Sequence, residues 1–265
     1  ATVPISIDGH EKPAERFADV YGRLYNSTDG ADKTKEILNE VESMIDMRSL
    51  NDVDLVTSDL IGDIIDNEIK PNKNDPVFSF NTNCIKRAPT LLHQHLANIF
   101  IGFLIHGHVS SFLLVATIIP LIKDKLGDSE SSDNYRSIAL SSVILKIFDW
   151  IIIILFGKTL GLDELQFSYQ KSCSTTMCTW LVVESISYFT RNDSDVYGCF
   201  MDLKKAFDLV KHSILFRKLA ERKVPSIYLR LLLCMYMSLT AKVIWNGKLS
   251  DAFSILNGVK QGAVL

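Results

Sequence analysis

Residues 199–208 have the sequence CFMDLKKAFD, and residues 257–262, further along the chain, have the sequence NGVKQG. The apolar residues before the first aspartate predict a short β-strand over 196–201, followed by a turn into a helix. A carboxylate at the end of a strand stands at the edge of a sheet, where it can bind a hard divalent cation. Asp202 is therefore a candidate metal ligand. The alternative is an ordinary turn or helix-capping residue.

The second aspartate of the first stretch, Asp208, lies six residues after Asp202. Two carboxylates at this spacing, across a strand-to-helix turn, need not converge, so we expect a structural role for Asp208. In the second stretch, Gly258 and Gly262 allow the backbone to approach a ligand closely, and Gln261 can both donate and accept hydrogen bonds. These properties suit a contact between this segment and a bound ligand.

The apolar periodicity around these stretches predicts helices and short strands. Helices are expected over 33–47, 57–69, 90–105, 142–155, 175–190, 212–222 and 226–238, and strands over 115–122, 135–140, 196–201, 240–245 and 249–255. Asn246 and Gly247 tolerate positive φ, which predicts a hairpin between the last two strands. The pattern is typical of an α+β fold in which an antiparallel sheet carries helices on one face.

The net charge of -3 hides an uneven distribution of charge along the chain. Residues 1–75 carry 17 acidic and 8 basic side chains, whereas residues 76–265 carry 14 acidic and 20 basic ones. The basic part contains both motif stretches, so the asymmetry permits a phosphate-binding surface there. A loop over 71–83, rich in Asn, Asp and Pro, predicts a boundary after an acidic helical N-terminal segment.

Cysteine usage and hydropathy limit the class of protein further. The five cysteines are scattered and form no Cys-x-x-Cys pair, so neither a disulfide framework nor a zinc ribbon is indicated. We expect a reducing, intracellular compartment, either nucleus or cytoplasm. Residues 99–122 are long and apolar enough to raise the question of a membrane span. The polar residues near His106 and Ser110 divide this stretch, and we expect no membrane contact.

Both motif stretches, in their order and spacing, resemble the first two palm motifs of a reverse transcriptase. The wider sequence, over roughly residues 50–265, is similar to the polymerase of LINE-type (non-LTR) retrotransposons. The resemblance implies an RNA-directed DNA polymerase that uses an RNA template, a DNA primer, deoxynucleotides and two Mg²⁺ ions. It also implies three regions: an acidic N-terminal segment over 1–75, a fingers-like region over 76–190 and a partial palm over 191–265.

The resemblance assigns roles to individual residues of the palm motifs. Asp202 is expected to bind the catalytic metal, and Phe207 to be a steric gate that leaves no room for a ribose 2′-hydroxyl. The alternative for Phe207 is that it simply packs in the core. Leu203, Gln261 and Gly262 are expected to contact the nucleotide.

Residues 118–125 and 134–138 resemble the fingers hairpin of the same family. In that hairpin a lysine and an arginine bind the triphosphate, so these roles are expected of Lys123 and Arg136. The alternative is that both are solvated loop charges. Residues 166–176 resemble the next family segment, which approaches template and nucleotide.

Several positions depart from the family pattern. Pro76 and Ser137 stand where the family usually has Gly and Pro, and residues 169–172 (YQKS) stand where it usually has Phe-Arg-Lys-Gly. With Gln instead of Arg at position 170, a phosphate contact of the family is lost. We also expect the chain to stop before the family's second carboxylate motif. These features predict that the chain as given does not polymerise DNA.

Two functions from other classes are left open. A decayed or domesticated fragment would only bind nucleic acid, with an affinity that is sensitive to salt and independent of nucleotide. A non-enzymatic interaction protein would instead bind a partner protein through the acidic helices over 33–69, and it would not bind nucleic acid. The oligomeric state is left open as well.

Overall fold

The computed structural model of the chain describes residues 4, 6–27, 31–45, 49–161, 163, 165–168 and 172–260. Its elements confirm the expected α+β class. The helices are α1 (Pro13–Leu24), α2 (Ala31–Ser43), α3 (Ser58–Asn67), α4 (Thr82–Lys86), α5 (Thr90–His106), α6 (Val143–Leu160), α7 (Thr175–Arg191), α8 (His212–Glu221) and α9 (Ser226–Met237). The strands are β1 (Val115–Ile122), β2 (Tyr135–Leu140), β3 (Thr240–Trp245), β4 (Lys248–Leu249) and β5 (Phe253–Ser254).

The sheet is mixed, which corrects the expected antiparallel sheet. The strand order is β2-β1-β3-β4, and β5 also pairs with β3. β1 pairs antiparallel with β2, with Leu121 opposite Arg136, but it pairs parallel with β3, with Val115 opposite Thr240. A parallel pair needs a long crossover connection, and here the chain between β1 and β3 includes β2 and four helices. The sequence pattern located β1, β2 and β3 but did not predict this pairing.

One face of the sheet packs against α1. Burial alternates along the strands, so that Ala116 and Ile118 of β1 and Val243 of β3 point to the buried face. Phe17 of α1 completes this core, and its ring centroid lies 5.1 Å from that of Tyr135. The period of two along the strands is the physical basis of this arrangement, because it places every second side chain on α1.

The acidic N-terminal helices pack into the same core as the basic part of the chain. α2 contacts α8 and α9, and α3 contacts α5. α3 begins where the sequence predicted, because the side chain of Thr57 accepts a hydrogen bond from the backbone N–H of Leu60 at 3.2 Å. α1, α2 and α3 thus contribute structure to the unit that carries the β1–β2 hairpin.

The loop that precedes the basic part is fixed by the buried carboxylate of Asp75. One of its oxygens accepts hydrogen bonds from the backbone N–H groups of Val77 and Phe78, both at 2.7 Å. The other accepts from the N–H of Val143, the first residue of α6, at 2.6 Å. A carboxylate is favourable there because the first N–H groups of a helix lack intrahelical partners and carry partial positive charge.

The chain divides into two compact units, residues 1–159 with 205–265 and residues 160–204. The second unit contains α7, none of whose residues is buried. The strand predicted over 196–201 is wrong: these residues form no strand, and Tyr197 and Phe200 are more than nine-tenths exposed. A strand needs a neighbouring strand to satisfy its backbone hydrogen bonds, and the described strands pair with one another instead.

The three regions expected over 1–75, 76–190 and 191–265 stay a prediction, because the two units report packing and not fingers or palm. No helix among the described residues has the length and apolar content needed to cross a membrane. The stretch over 99–122, considered above as a span, is divided between α5, an irregular segment and β1.

Candidate functional site

The hairpin of β1 and β2 carries the two expected phosphate-binding cations. Arg136 is exposed, and it lies in a strand whose alternate residues Tyr135 and Ser137 are buried. Lys123 follows β1 directly, and its backbone N–H donates to the carbonyl of Asn134 at 2.8 Å, which continues the strand pairing by one residue. The Lys123 ammonium donates to the carbonyl oxygen of Asp133 at 2.6 Å. Both cations are therefore exposed on a fixed hairpin.

Asn134 organises the loop that joins these two strands. Its side-chain Nδ2 donates to the carbonyl oxygens of Asp124 and Asp128, at 2.9 and 3.0 Å, and its Oδ1 accepts from the N–H of Asp124 at 3.0 Å. These bonds fix the loop without using the arginine. Arg136 thus keeps an exposed guanidinium fork, which suits phosphate oxygens.

Asp202 and Leu203 belong to the second unit, and both are exposed. Asp202 does not end a strand, which corrects that part of the expectation. Within the described ranges, no three acidic, His or Cys side chains are grouped so as to hold a metal ion. The carboxylate of Asp202 is a suitable ligand for Mg²⁺, but the described residues form no complete site around it, so its metal role stays a prediction.

The structure joins the two motif stretches through their backbones in the first unit. The N–H of Gly258 donates to the carbonyl of Val210 at 2.7 Å, and the N–H of Val259 donates to the carbonyl of Phe207 at 2.9 Å. The side chain of Asn257 donates to the carbonyl of Asp208 at 2.7 Å. Phe207, the expected steric gate, therefore lies beside the segment that leads to Gln261. Gln261, Gly262 and residues 169–171 lie outside the described residues.

Gly258 is required at the centre of this contact. Its φ is +85°, a conformation that side chains disfavour. A Cβ at this position would lie 2.7 Å from the carbonyl oxygen of Asp208 and 2.9 Å from the Tyr25 ring. The glycine therefore allows close approach of the two chain segments, in addition to any approach to a ligand.

The carboxylate of Asp208 binds the hydroxyl groups of two residues that are distant in the sequence, and the sequence did not predict these contacts. Its Oδ1 accepts a hydrogen bond from the Tyr25 hydroxyl at 2.9 Å and one from the Ser137 hydroxyl at 3.3 Å. The two hydroxyls are 2.9 Å apart. These contacts agree with the structural role expected of Asp208. The sequence distinguishes Ser137 only as a departure from the family's proline. No sequence pattern identifies Tyr25 as part of the site.

His212 stabilises the same contact from α8. Its Nε2 lies 2.8 Å from the carbonyl oxygen of Gly258, which can only accept, so Nε2 donates. The ring is buried and meets the rings of Phe216 and Tyr236 edge-on. Burial lowers the pKa of His212, and the hydrogen bond to Gly258 partly opposes this effect. The histidine is thus held as a neutral donor.

Lys260 lies next to the expected nucleotide contact at position 261. It lines a small cavity together with Asp149 and Tyr236. Loss of solvent around the ammonium lowers the pKa of Lys260; the Asp149 carboxylate opposes this effect, while Lys146 adds to it. The end of the motif segment is therefore seated among charged groups of α6.

Comparison with known proteins identifies the family. The model of the family described as "Reverse transcriptase (RNA-dependent DNA polymerase)" matches residues 123–265, which is more than half of the chain. The chain belongs to the reverse transcriptase family. The matched region begins at Lys123 and includes Arg136, the 205–210 turn and the 257–262 segment, and it excludes α1 to α5.

A curated relative supports the assignment to a non-LTR element. The chain is similar to the "Retrovirus-related Pol polyprotein from type-1 retrotransposable element R2" of Bradysia coprophila, with 29% identity over 128 residues. The similarity covers 48% of this chain and 15% of the polyprotein. The chain thus spans only a small part of the length of this relative. The resemblance to a non-LTR reverse transcriptase domain is confirmed at the level of the family.

Proposed function

We propose that this chain is part of a retrotransposon RNA-directed DNA polymerase that selects and holds the incoming deoxynucleotide. The observation that carries the proposal is the reverse transcriptase family match over 123–265. The substrates would be an RNA template, a DNA primer and deoxynucleoside triphosphates. The basic excess of residues 76–265 suits such polyanionic partners.

The hairpin cations would bind the triphosphate. Arg136 is exposed on a strand, and Asn134 fixes the loop beside it. Its guanidinium can therefore bind phosphate oxygens with little loss of conformational entropy. Lys123 would add a point charge one residue beyond the paired strand. Its present bond to the Asp133 carbonyl is exposed, and a phosphate could replace that partner.

Phe207 would select the sugar, and Gln261 with Gly262 would complete the nucleotide contact. The backbone bond between Phe207 and Val259 supports this pairing of roles, because it keeps the gate beside the chain segment that precedes Gln261. Leu203 would contribute a further nucleotide contact.

Asp202 would be one ligand of the Mg²⁺ that such polymerases use to stabilise charge on the reacting phosphates. The described residues form no group of three possible metal ligands, so further ligands would have to complete the site around Asp202. The chain's own contribution is to bind the triphosphate, exclude a ribose 2′-hydroxyl and orient the nucleotide.

The test is RNA-templated primer extension with Mg²⁺ and deoxynucleotides. The protein is assayed as the 265-residue chain and within its full open reading frame, as the wild type, Asp202→Asn and the control Asp195→Asn. We expect extension by the full reading frame, loss of extension by more than about 100-fold in Asp202→Asn, and little change in Asp195→Asn. Extension that survives Asp202→Asn would refute the metal role, and no extension by any wild-type form would refute the polymerase proposal.

A binding-only role is the second candidate, and the basic excess of residues 76–265 favours it. It predicts salt-sensitive binding of RNA or DNA that deoxynucleotides do not alter. Nucleotide-dependent tightening of the complex with a primed template would contradict it.

A further inference from the structure

The end of α1 lies at the point where the two motif-bearing segments meet. Tyr25, the residue that follows α1, is 2% exposed. Its hydroxyl donates to Asp208 in the 205–210 turn and lies 2.9 Å from the Ser137 hydroxyl on β2. One side chain thus links α1, the fingers-like hairpin and the turn that carries Phe207.

The backbone at the end of α1 binds the second motif segment as well. The carbonyl of Tyr25 accepts hydrogen bonds from the N–H groups of Leu256 and Asn257, both at 3.0 Å. The carbonyl of Leu24 accepts from the side chain of Asn257 at 3.0 Å. The last carbonyls of a helix have no intrahelical partner, and residues 256–257 supply donors to them, although the Leu24 carbonyl also accepts from the Ser27 hydroxyl at 2.8 Å.

The tyrosine ring also limits the space available to the segment. Gly258 lies so close that a Cβ there would be 2.9 Å from Cε1 of Tyr25. The ring therefore packs against residues 257–259 at the place where they contact the 205–210 turn.

Tyr25 is suited to be a permanent donor. Burial is the largest cause that raises the pKa of its phenol; the hydrogen bond with Ser137 opposes this effect, and the nearby Asp208 carboxylate raises the pKa further. The phenol therefore keeps its proton at neutral pH, and its bond to Asp208 is not lost there by titration.

We propose that Tyr25 is a positioning residue for nucleotide selection. Through Asp208 and the 256–257 backbone it fixes Phe207 and the approach to Gln261 relative to each other. Tyr25 precedes the region that matches the reverse transcriptase family, so the match assigns it no role. The proposal rests on the proposed function, in which Phe207 and Gln261 meet the nucleotide.

Tyr21, in α1 and four residues before Tyr25, provides a matched control. It is buried like Tyr25 and belongs to the same core, but its hydroxyl has no hydrogen-bond partner among the described residues. Tyr25→Phe and Tyr21→Phe therefore remove the same atom from the same core, and only the first removes a bond to Asp208.

The first readout is steady-state nucleotide incorporation by the full reading frame carrying each variant. We expect Tyr25→Phe to raise the KM for the deoxynucleotide by about tenfold, with kcat within about twofold of the wild type, because binding geometry is lost and the chemistry is not. Tyr21→Phe should leave both constants unchanged. Ser137→Ala, which removes the longer bond to Asp208, should shift KM in the same direction by less.

The second readout is amide hydrogen exchange, which needs no activity. Tyr25→Phe should speed exchange at residues 207–210 and 256–259 and leave β1 unchanged, whereas Tyr21→Phe should change neither. Equal KM values and equal exchange for the two variants would overturn the proposal. If the wild type fails to extend a primer, the polymerase proposal fails, and exchange still decides whether Tyr25 holds the two segments.

Discussion

At the scale of single residues, the candidate site is held by a few polar contacts between distant parts of the chain. Tyr25, Ser137 and Asp208 share one hydrogen-bonded cluster, and Asn257 and His212 bind the backbone beside it. Residues 207–210, at the end of the first motif stretch, are therefore packed against residues 257–259 within the first unit. Substitutions in the cluster should affect stability and nucleotide contacts together.

The carboxylate of Asp208 should contribute measurably to stability. Asp208→Ala leaves the hydroxyls of Tyr25 and Ser137 without their acceptor, and we expect it to lower the free energy of unfolding by about 1.5–3 kcal/mol, the range for hydrogen bonds to a charged group. Asp251→Ala, an exposed control, should change it by less than about 0.5 kcal/mol. Urea denaturation of both variants measures the difference, and equal values would contradict the contact.

Substitution of Gly258 should destabilise the protein more than substitution of a glycine that is needed only for its positive φ. Gly258→Ala should lower the free energy of unfolding by about 2–5 kcal/mol, because conformational strain adds to overpacking against Asp208 and Tyr25. Gly247→Ala, whose φ is +75° with nothing near the added carbon, should cost only about 1–2 kcal/mol. Thermal and urea unfolding report both values. A smaller loss for Gly258→Ala would mean that the two segments are not packed together.

Titration of His212 should make stability depend on pH. Its folded-state pKa lies below the unfolded value of 6.5, so the unfolded chain binds the proton more readily. The stabilisation is complete above pH 6.5 and is lost as the pH falls from there towards the lower folded-state pKa. His212→Gln should flatten this part of the curve in urea denaturation between pH 7 and pH 5, about the range where histidine titrates. An unchanged slope would exclude His212 as its source.

At the scale of elements, sequence patterns located most helices and strands. β1 and β2 have the expected bounds; β1 is a short apolar run that ends at a polar loop, and burial alternates along both strands. The prediction of a strand over 196–201 is wrong. The composition of these residues suits a strand, but no described strand pairs with them. The Tyr25 to Asp208 contact spans 183 positions, and no local pattern predicts such a contact.

α6 should depend on a carboxylate supplied by a preceding loop. Asp75→Asn keeps one acceptor oxygen but replaces the other by an amide, so the N–H of Val143 or those of Val77 and Phe78 lose their partner. We expect a loss of about 1–3 kcal/mol in the free energy of unfolding. Asp59→Asn, at an exposed site in the first turn of α3, is the control and should change it little. Equal effects of the two variants would argue against the contact to α6.

At the scale of the whole molecule, the family match over 123–265 and the basic excess over 76–265 fall in the same part of the chain. The reverse transcriptase match begins at Lys123, yet α1 supplies Tyr25 and α2 packs on α8 and α9. The acidic N-terminal segment that the sequence analysis set apart thus belongs to the first unit. A protein that starts at residue 76 should lose the core between α1 and the sheet and should not fold into this unit.

Nucleotide choice tests the central claim most directly. Single-nucleotide incorporation of dCTP and CTP on an RNA template is measured with the full reading frame as wild type, Phe207→Val and the control Phe189→Val. We predict a strong preference for dCTP in the wild type and in Phe189→Val, and loss of most of that preference in Phe207→Val, because a smaller side chain leaves room for the 2′-hydroxyl. Equal use of dCTP and CTP by the wild type, or an intact preference in Phe207→Val, would contradict the account.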